Sequence, residues 1–92
     1  MEQVRKHMIF AGRVQGVGFR YRASYTARSL GLTGWVRNDP DGTVEMEVQG
    51  SRASIDRMLA MLNQDSYIRI DKIEAQDIPV HEKEHGFGVR GY

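Results

Sequence analysis

Hydrophobic and polar residues alternate with the period of a strand in some segments and recur with the period of a helix in others. The points at which the period changes predict the boundaries of the strands and helices. An unbroken apolar run inside residues 7–14 predicts a first strand at a central position of a sheet. Apolar residues then recur at helical spacing over residues 19–30, and Gly31 is the expected left-handed residue just past the helix end. The first third of the chain therefore predicts a strand followed by a helix.

The middle of the chain predicts a hairpin and a second helix. Residues 33–38 read as a strand, and the Asp-Pro-Asp-Gly segment at 39–42 is a turn signal. A third strand starts at Val44, where apolar and polar residues alternate. Ser51 is a candidate cap for a helix that should end near Asn63. That helix has an apolar stripe at the i, i+3, i+4 and i+7 positions, formed by Ile55, Met58, Leu59 and Leu62.

The C-terminal third has a less regular pattern. Within residues 68–78, Ile68 and Ile70 share one phase of alternation, whereas Ile73 and Ala75 share the other. This change of phase indicates a β-bulge or a late strand start. Residues 79–86 form a charged loop, and residues 87–92 fit a short final strand.

This order of elements is the split βαβ pattern of ferredoxin-like folds. It predicts an α+β sandwich, βαββαβ, in which an antiparallel sheet carries both helices on one face and a short C-terminal edge strand is an optional addition. A length of 92 residues suits a single domain over residues 1–92. The period of two places Val36 and Asn38 on the helix-bearing side of the second strand.

Composition and charge narrow the classes of function. The chain has no cysteine, which excludes disulfides and thiolate metal sites. The N-terminal residues lack the apolar stretch of a signal peptide, and no run approaches membrane-spanning length. We therefore expect a cytoplasmic monomer with no membrane partner. A net charge of +1 argues against a general nucleic-acid binder, although the first 38 residues hold seven Arg or Lys against one Glu. A locally positive field there favours a small anionic ligand.

The segment GRVQGVGFR at 12–20 is the strongest candidate for chemistry. Its glycines allow consecutive backbone amides to converge on one point, and a helix that starts near Phe19 directs its positive dipole end there. Arg20 adds a planar, permanently charged fork that suits phosphate oxygens. The expected amide donors to a phosphate are Gln15, Gly16, Val17, Gly18, Phe19 and Arg20.

Together with GWVRN at 34–38 and DGTVE at 41–45, this segment resembles the acylphosphatase family over about residues 8–50. The resemblance implies hydrolysis of the carboxyl–phosphate bond of acyl phosphates, with Arg20 and Asn38 as catalytic residues and no cofactor. Beyond Gly50 the likeness thins. Residues 63–67 lack the Gly and Pro pair that members often carry, and Gly91 intrudes before Tyr92. These departures leave open the register of the C-terminal strands and any contact of the C-terminal carboxylate with Arg20.

The reaction itself needs few protein groups. The leaving carboxylate has a conjugate acid with a pKa of about 4, so its departure needs no general acid. A phosphate cradle and a positioned water suffice, and Asn38 is the candidate that orients the water. We expect a small acyl phosphate as substrate, with inorganic phosphate as product and inhibitor. The three histidines are separated and show no ligand pattern, so no metal site is expected.

Other interpretations remain open from the sequence alone. The glycines could form a tight turn without a ligand, and Asn38 could be an ordinary turn residue before Asp39. The string at 18–21, Gly-Phe-Arg-Tyr, superficially resembles an RNA-recognition signature, but it runs into a helical stripe and not along a strand. A phosphate-sensing domain without turnover would keep the same anion site.

Overall fold

A computed structural model describes residues 2–91, which form one five-stranded sheet and two helices. The elements in chain order are β1 (Gln3–Arg13), α1 (Phe19–Ser29), β2 (Thr33–Asn38), β3 (Val44–Ser51), α2 (Arg52–Asn63), β4 (Arg69–Ile78) and β5 (Phe87–Arg90). The strand order is β4-β1-β3-β2-β5. The predicted α+β arrangement is confirmed, and β1 occupies an interior position between β4 and β3, as its apolar run indicates.

The C-terminal edge strand adds one feature to the predicted sheet. The four longer strands pair antiparallel, as predicted, and β5 pairs parallel with β2. The sheet is therefore mixed, because the optional edge strand joins it in the parallel direction. A parallel neighbour is available here because the loop after β4 carries the chain across to the far edge, beside β2, before β5 begins.

Both helices pack on one face of the sheet and bury a single core there. Alternate strand residues, among them Met8, Phe10 and Val36, are fully buried against the helices. Full burial of a side chain of this size contributes about 1.5–3 kcal/mol before the entropy of ordering it is counted. The helical side of the core comprises Phe19, Ala23, Ala27, Ile55, Met58 and Leu62.

The predicted helix ends agree with the structure. The Ser51 side chain accepts a hydrogen bond from the backbone N–H of Ser54 at 3.1 Å, which caps α2. Gly31 has a φ of 71° just beyond α1. These local signals position α1, and with it the loop that precedes it.

The irregular pattern before Ile73 is a bulge. Ala11 of β1 lies opposite Lys72, whereas the next residue, Gly12, lies opposite Ile70. Asp71 is therefore left out of the pairing register, and the side-chain phase of β4 changes at that point. The strand itself starts at Arg69, one residue later than the predicted range.

β1 extends to Gln3, four residues before the predicted start. The added residues contribute to the face of the sheet opposite the helices, which we call the open face. The polar N-terminal half of β1 is held by Arg5, whose residue surface is only 1 % exposed. Its guanidinium donates to Glu47 at 2.9 Å and to Glu84 at 2.7 and 3.1 Å. Gln49 hydrogen-bonds both the N–H and the C=O of His81. The charged loop 79–86 is therefore fixed on the open face.

Candidate active site

The loop between β1 and α1 is shaped by two left-handed glycines. Gly16 has a φ of 72° and Gly18 a φ of 82°, a region that other L-residues rarely adopt. A Cβ atom on either residue would meet nothing within 4 Å, so the requirement for glycine is conformational and not steric. Gly18 directly precedes α1 and leaves the helix start without a side-chain cap.

The backbone amides of this loop lack acceptors. Within residues 2–91, no group accepts a hydrogen bond from the backbone N–H groups of residues 15–20. The first turn of α1 carries no acidic residue either. Unpaired amides and the positive end of a helix dipole therefore coincide at one place, which favours an anion.

These groups line a cleft of about 340 Å³ at the edge of the sheet. The cleft brings together Arg20 from the start of α1 and Asn38 from the end of β2. Its walls are formed by Val14, Gly16, Gly18, Phe19, Arg20, Tyr21, Asn38 and Val89. Gln15 and Val17 do not line it, and the phosphate-binding role of all six amides of residues 15–20 stays a prediction.

Arg20 is only weakly engaged by the protein. Its Nη1 donates to the carbonyl oxygen of Arg90 at 3.4 Å, near the upper limit for a hydrogen bond. Among residues 2–91, no carboxylate forms an ion pair with Arg20. The C-terminal carboxylate of Tyr92 lies outside the described residues. The guanidinium thus keeps most of its donors available to a ligand in the cleft.

Asn38 is buried at the sheet end but has no partner for its side chain. The residue is 8 % exposed and lies opposite Val44 in the ladder between β2 and β3. No hydrogen bond within residues 2–91 uses its carboxamide. As predicted from the period of two, Asn38 lies on the helix-bearing side, where it lines the cleft. Its amide is available to a small polar molecule there.

Comparison with known proteins agrees with this geometry. The acylphosphatase family model matches residues 6–89. The chain belongs to the acylphosphatase family. An acylphosphatase of Bifidobacterium longum (strain NCC 2705) is 43 % identical over 89 residues, covering 95 % of this chain and 92 % of that protein. An acylphosphatase of Trichormus variabilis (strain ATCC 29413 / PCC 7937) is 44 % identical, covering 97 % and 83 %.

A solved structure leads to the same family. The crystal structure of an acylphosphatase from Bacillus subtilis matches with a TM-score of 0.86 at 30 % identity, covering 95 % of this chain and 98 % of that one. Acylphosphatases hydrolyse acyl phosphates, and the chain is a hydrolase of this class. The resemblance stated from 12–20 and 34–38 is confirmed, and so is the ferredoxin-like fold.

In this acylphosphatase-family chain the acidic groups nearest the cleft are turned away from it. Arg37 follows the opposite face of β2 and donates to Glu45 at 2.8 Å and to Asp39 at 3.1 Å. Burial and the adjacent Glu45 carboxylate raise the pKa of Asp39. Burial opposes ionisation of Glu45, but hydrogen bonds from His7 and Arg37 outweigh it and lower the pKa of that carboxyl. Negative charge beside Asn38 is therefore neutralised on the open face.

Sequence reasoning missed two walls of the acylphosphatase cleft. Tyr21 is 78 % exposed and Val89 is 47 % exposed, and both border the phosphate loop. Tyr21 could have been found from its position beside Arg20. Val89 could not, because its place depends on the pairing of β5 with β2.

The alternative of an RNA-binding surface loses its main support. Phe19 is buried in the core with its ring centroid 4.9 Å from that of Phe10. It therefore offers no face on which a base could stack. Over residues 2–91, no group of three or more His, Cys, Asp or Glu side chains is placed to hold a metal ion. No helix in that range is long and apolar enough to cross a membrane.

Proposed function

We propose that this chain hydrolyses the carboxyl–phosphate bond of small acyl phosphates without a metal ion, by binding the phosphoryl group and positioning one water molecule. One observation carries the proposal. Arg20, three further residues of the loop (Gly16, Gly18 and Phe19) and Asn38, whose carboxamide has no partner within residues 2–91, all border the same cleft. The products are a carboxylate and inorganic phosphate.

The phosphoryl group binds in a cradle formed by the backbone amides of residues 15–20 and the Arg20 guanidinium. Charge in the transition state of phosphoryl transfer spreads over three equatorial oxygens. Donors held by a rigid loop stabilise that charge with little rearrangement. The left-handed conformations of Gly16 and Gly18 support this role because they let the loop turn its amides toward one point.

Asn38 orients the attacking water. Its side-chain amide is not a base at neutral pH, so it accepts a hydrogen bond from the water without removing a proton. The proton passes to a phosphoryl oxygen of the substrate as the O–P bond forms and the bond to the carboxylate breaks. The contribution of Asn38 is therefore orientation of the nucleophile in line with the leaving group.

The leaving group needs no help from a protein acid. Its conjugate acid has a pKa of about 4, so the carboxylate departs unprotonated at neutral pH. Among residues 2–91, the side chains that form the cleft walls agree with this requirement, because they include no histidine and no carboxylate. This chemistry supports a reaction that needs neither a cofactor nor a metal.

The same proposal covers the setting of the reaction. Inorganic phosphate binds the cradle as product and competitive inhibitor. Residues 1–92 act as a single domain, and the protein works as a cytoplasmic monomer that binds neither nucleic acid nor membranes. Sedimentation of the free protein and of its mixture with RNA tests the monomer and the absence of nucleic-acid binding.

The decisive experiment compares two substrates. Hydrolysis of benzoyl phosphate is measured beside hydrolysis of an aryl phosphate monoester, each with and without a chelator. We expect rapid cleavage of the acyl phosphate alone, at a rate that the chelator does not change. Equal cleavage of the monoester, or loss of activity with chelator, would contradict the proposal.

A further inference from the structure

The side chain of Gln15 links the two halves of the candidate site. Its Nε2 donates to the carbonyl oxygen of Asp39 at 2.7 Å and to that of Thr43 at 2.8 Å. A primary amide nitrogen has two hydrogens, so both are used. Asp39 and Thr43 are the ends of the turn between β2 and β3, which is itself closed by a bond from Asp39 N–H to the Thr43 carbonyl at 2.9 Å.

This link lies where the backbone ladder has already stopped. The pairing of β1 with β3 ends at Phe10 and Val44, after which β1 continues beside β4 alone. The loop that follows β1 is therefore not joined to the β2–β3 turn by sheet hydrogen bonds. Gln15 provides that connection from the start of the phosphate loop, across 24 and 28 residues of sequence.

The position of the link matters because of its neighbours. Gln15 stands between Val14 and Gly16, which both line the cleft, and Asp39 directly follows Asn38. Any shift of the turn relative to the loop changes the distance from Asn38 to a phosphoryl group in the cradle. A misplacement of about 1 Å can cost about a hundredfold in rate.

We infer that the Gln15 side chain is a positioning residue for Asn38: its amide holds the β2–β3 turn against the phosphate loop and so sets the place of the attacking water. The inference rests on the proposed function, since it gives Asn38 the water. It is separate from the backbone N–H of Gln15, which substitution by Met, Glu or Asn retains.

Three substitutions at Gln15 distinguish the effect of its two hydrogen bonds from the effect of side-chain size. Gln15→Met keeps nearly the same length but donates nothing. Gln15→Glu keeps the shape more closely, yet it sets a carboxylate against two carbonyl oxygens. Gln15→Asn keeps the amide on a shorter side chain that cannot reach both acceptors. The expected order of kcat is wild type, Asn, Met and Glu, whereas an effect of size alone would place Glu above Met.

The measurements are kcat and KM for benzoyl phosphate and the Kd for inorganic phosphate, all on folded protein. We expect Gln15→Met to lower kcat by about ten- to a hundredfold, the range of a sub-ångström to 1 Å displacement, with Kd for phosphate unchanged. Added to Asn38→Ala, the same change should lower kcat no further, because the group it positions is gone.

A matched control weakens the same turn and leaves both the Gln15 amide and its two carbonyl acceptors in place. Asp41 accepts hydrogen bonds from the Thr43 backbone N–H at 3.0 Å and from the Thr43 hydroxyl at 2.6 Å. Asp41→Ala should lower the melting temperature and leave kcat close to wild type. An equal fall of kcat in this control would overturn the inference, because general loosening of the turn would then explain it.

The remaining outcomes separate this inference from the proposed function. Wild-type kcat in Gln15→Met, or a full further loss in the Asn38→Ala background, would overturn the positioning role alone. Loss of phosphate affinity in step with kcat would assign Gln15 to the cradle and would also overturn it. Wild-type kcat in Asn38→Ala would instead contradict the proposed function.

Discussion

Two arginines on opposite faces of the sheet show how differently the same side chain is used. Arg5 on the open face is fully buried and donates to Glu47, Gln49 and Glu84. Arg20 beside the helices is partly exposed and has only a long bond to the Arg90 carbonyl. Burial of a charge is tolerated when the chain itself supplies the partners. A cation whose donors the described chain leaves unused is available to a ligand.

The largest expected effect comes from a change to Arg20, the arginine that is available to a ligand. Arg20→Lys keeps the charge but loses the planar fork, so turnover should fall by about 10²–10³-fold, the cost of one lost donor to a transition-state oxyanion. Stability should be unchanged, because the protein makes little use of this side chain. Steady-state kinetics and thermal melting of the purified variant test both expectations.

Arg22→Lys is the matched control for that substitution. Arg22 lies two residues further along α1 and pairs with Asp65 at the surface at 3.0 Å. Its variant should retain wild-type turnover. Near-normal activity in a folded Arg20→Lys protein would show that Arg20 is not the side chain of the cradle.

The second prediction concerns Arg5, the arginine whose partners are supplied by the chain itself. Arg5→Met leaves Glu47 and Glu84 without their cation, and removal of one partner of a buried ion pair costs about 3 kcal/mol or more. The free energy of unfolding, from urea titration, should fall by about this amount. Activity per folded molecule should stay at the wild-type level. A large loss of kcat in the folded fraction would mean that the open face takes part in the reaction.

The third prediction separates the two catalytic residues. Asn38→Ala should lower kcat about a hundredfold while phosphate affinity persists, because the missing bond is made to the nucleophile and not to the anion. Asn38→Asp adds a negative charge beside the phosphoryl group and should weaken phosphate binding as well. Calorimetric titration with phosphate, beside turnover, tests this. Equal loss of phosphate affinity in Asn38→Ala and Arg20→Ala would make Asn38 a phosphate ligand.

The smallest expected effect is a change in the stability of the fold at acidic pH. The hydrogen bond from Arg5 holds the pKa of Glu84 below its ordinary value. Because the pKa is lower in the folded state, this pair stabilises fully above the unfolded pKa of about 4.3, and the contribution is lost as pH falls through the lower, folded value. Melting curves from neutral to acidic pH should show this loss, and Glu84→Gln should make the acid limb shallower. An acid limb that is unchanged in Glu84→Gln would show that the pair of Arg5 and Glu84 does not contribute to the pH dependence of stability.

The helix side of the molecule could be predicted because its signals are local. The spacing from Phe19 to Leu30, the cap at Ser51 and the phase change before Ile73 each depend on neighbours in sequence. The glycine loop and Arg20 share one segment, so their proximity needed only one strand-to-helix turn. Asn38 needed one further step, the period of two along β2.

The open face could not be predicted, because its partners are distant. Arg5 and Glu84 are 79 residues apart, and no local pattern marks them as a pair. The same reason hid the start of β1 and the parallel pairing of β5. Gln15 was read only for its backbone amide, since the carbonyls that its side chain meets belong to the β2–β3 turn.

The place of β1 between β3 and β4 has a consequence for synthesis on the ribosome. β1 is translated before both strands with which it pairs, and its contact between Arg5 and Ile78 forms only after 72 further residues have followed Arg5 and Ile78 has been added. Contacts so distant in sequence make folding slow, and the apolar β1 stays unpaired while it waits. The last wall of the cleft forms only when β5 pairs with β2, because Val89 belongs to β5. The phosphate loop is thus translated before β2, β3, β4 and β5, and it becomes a binding site only after they have paired.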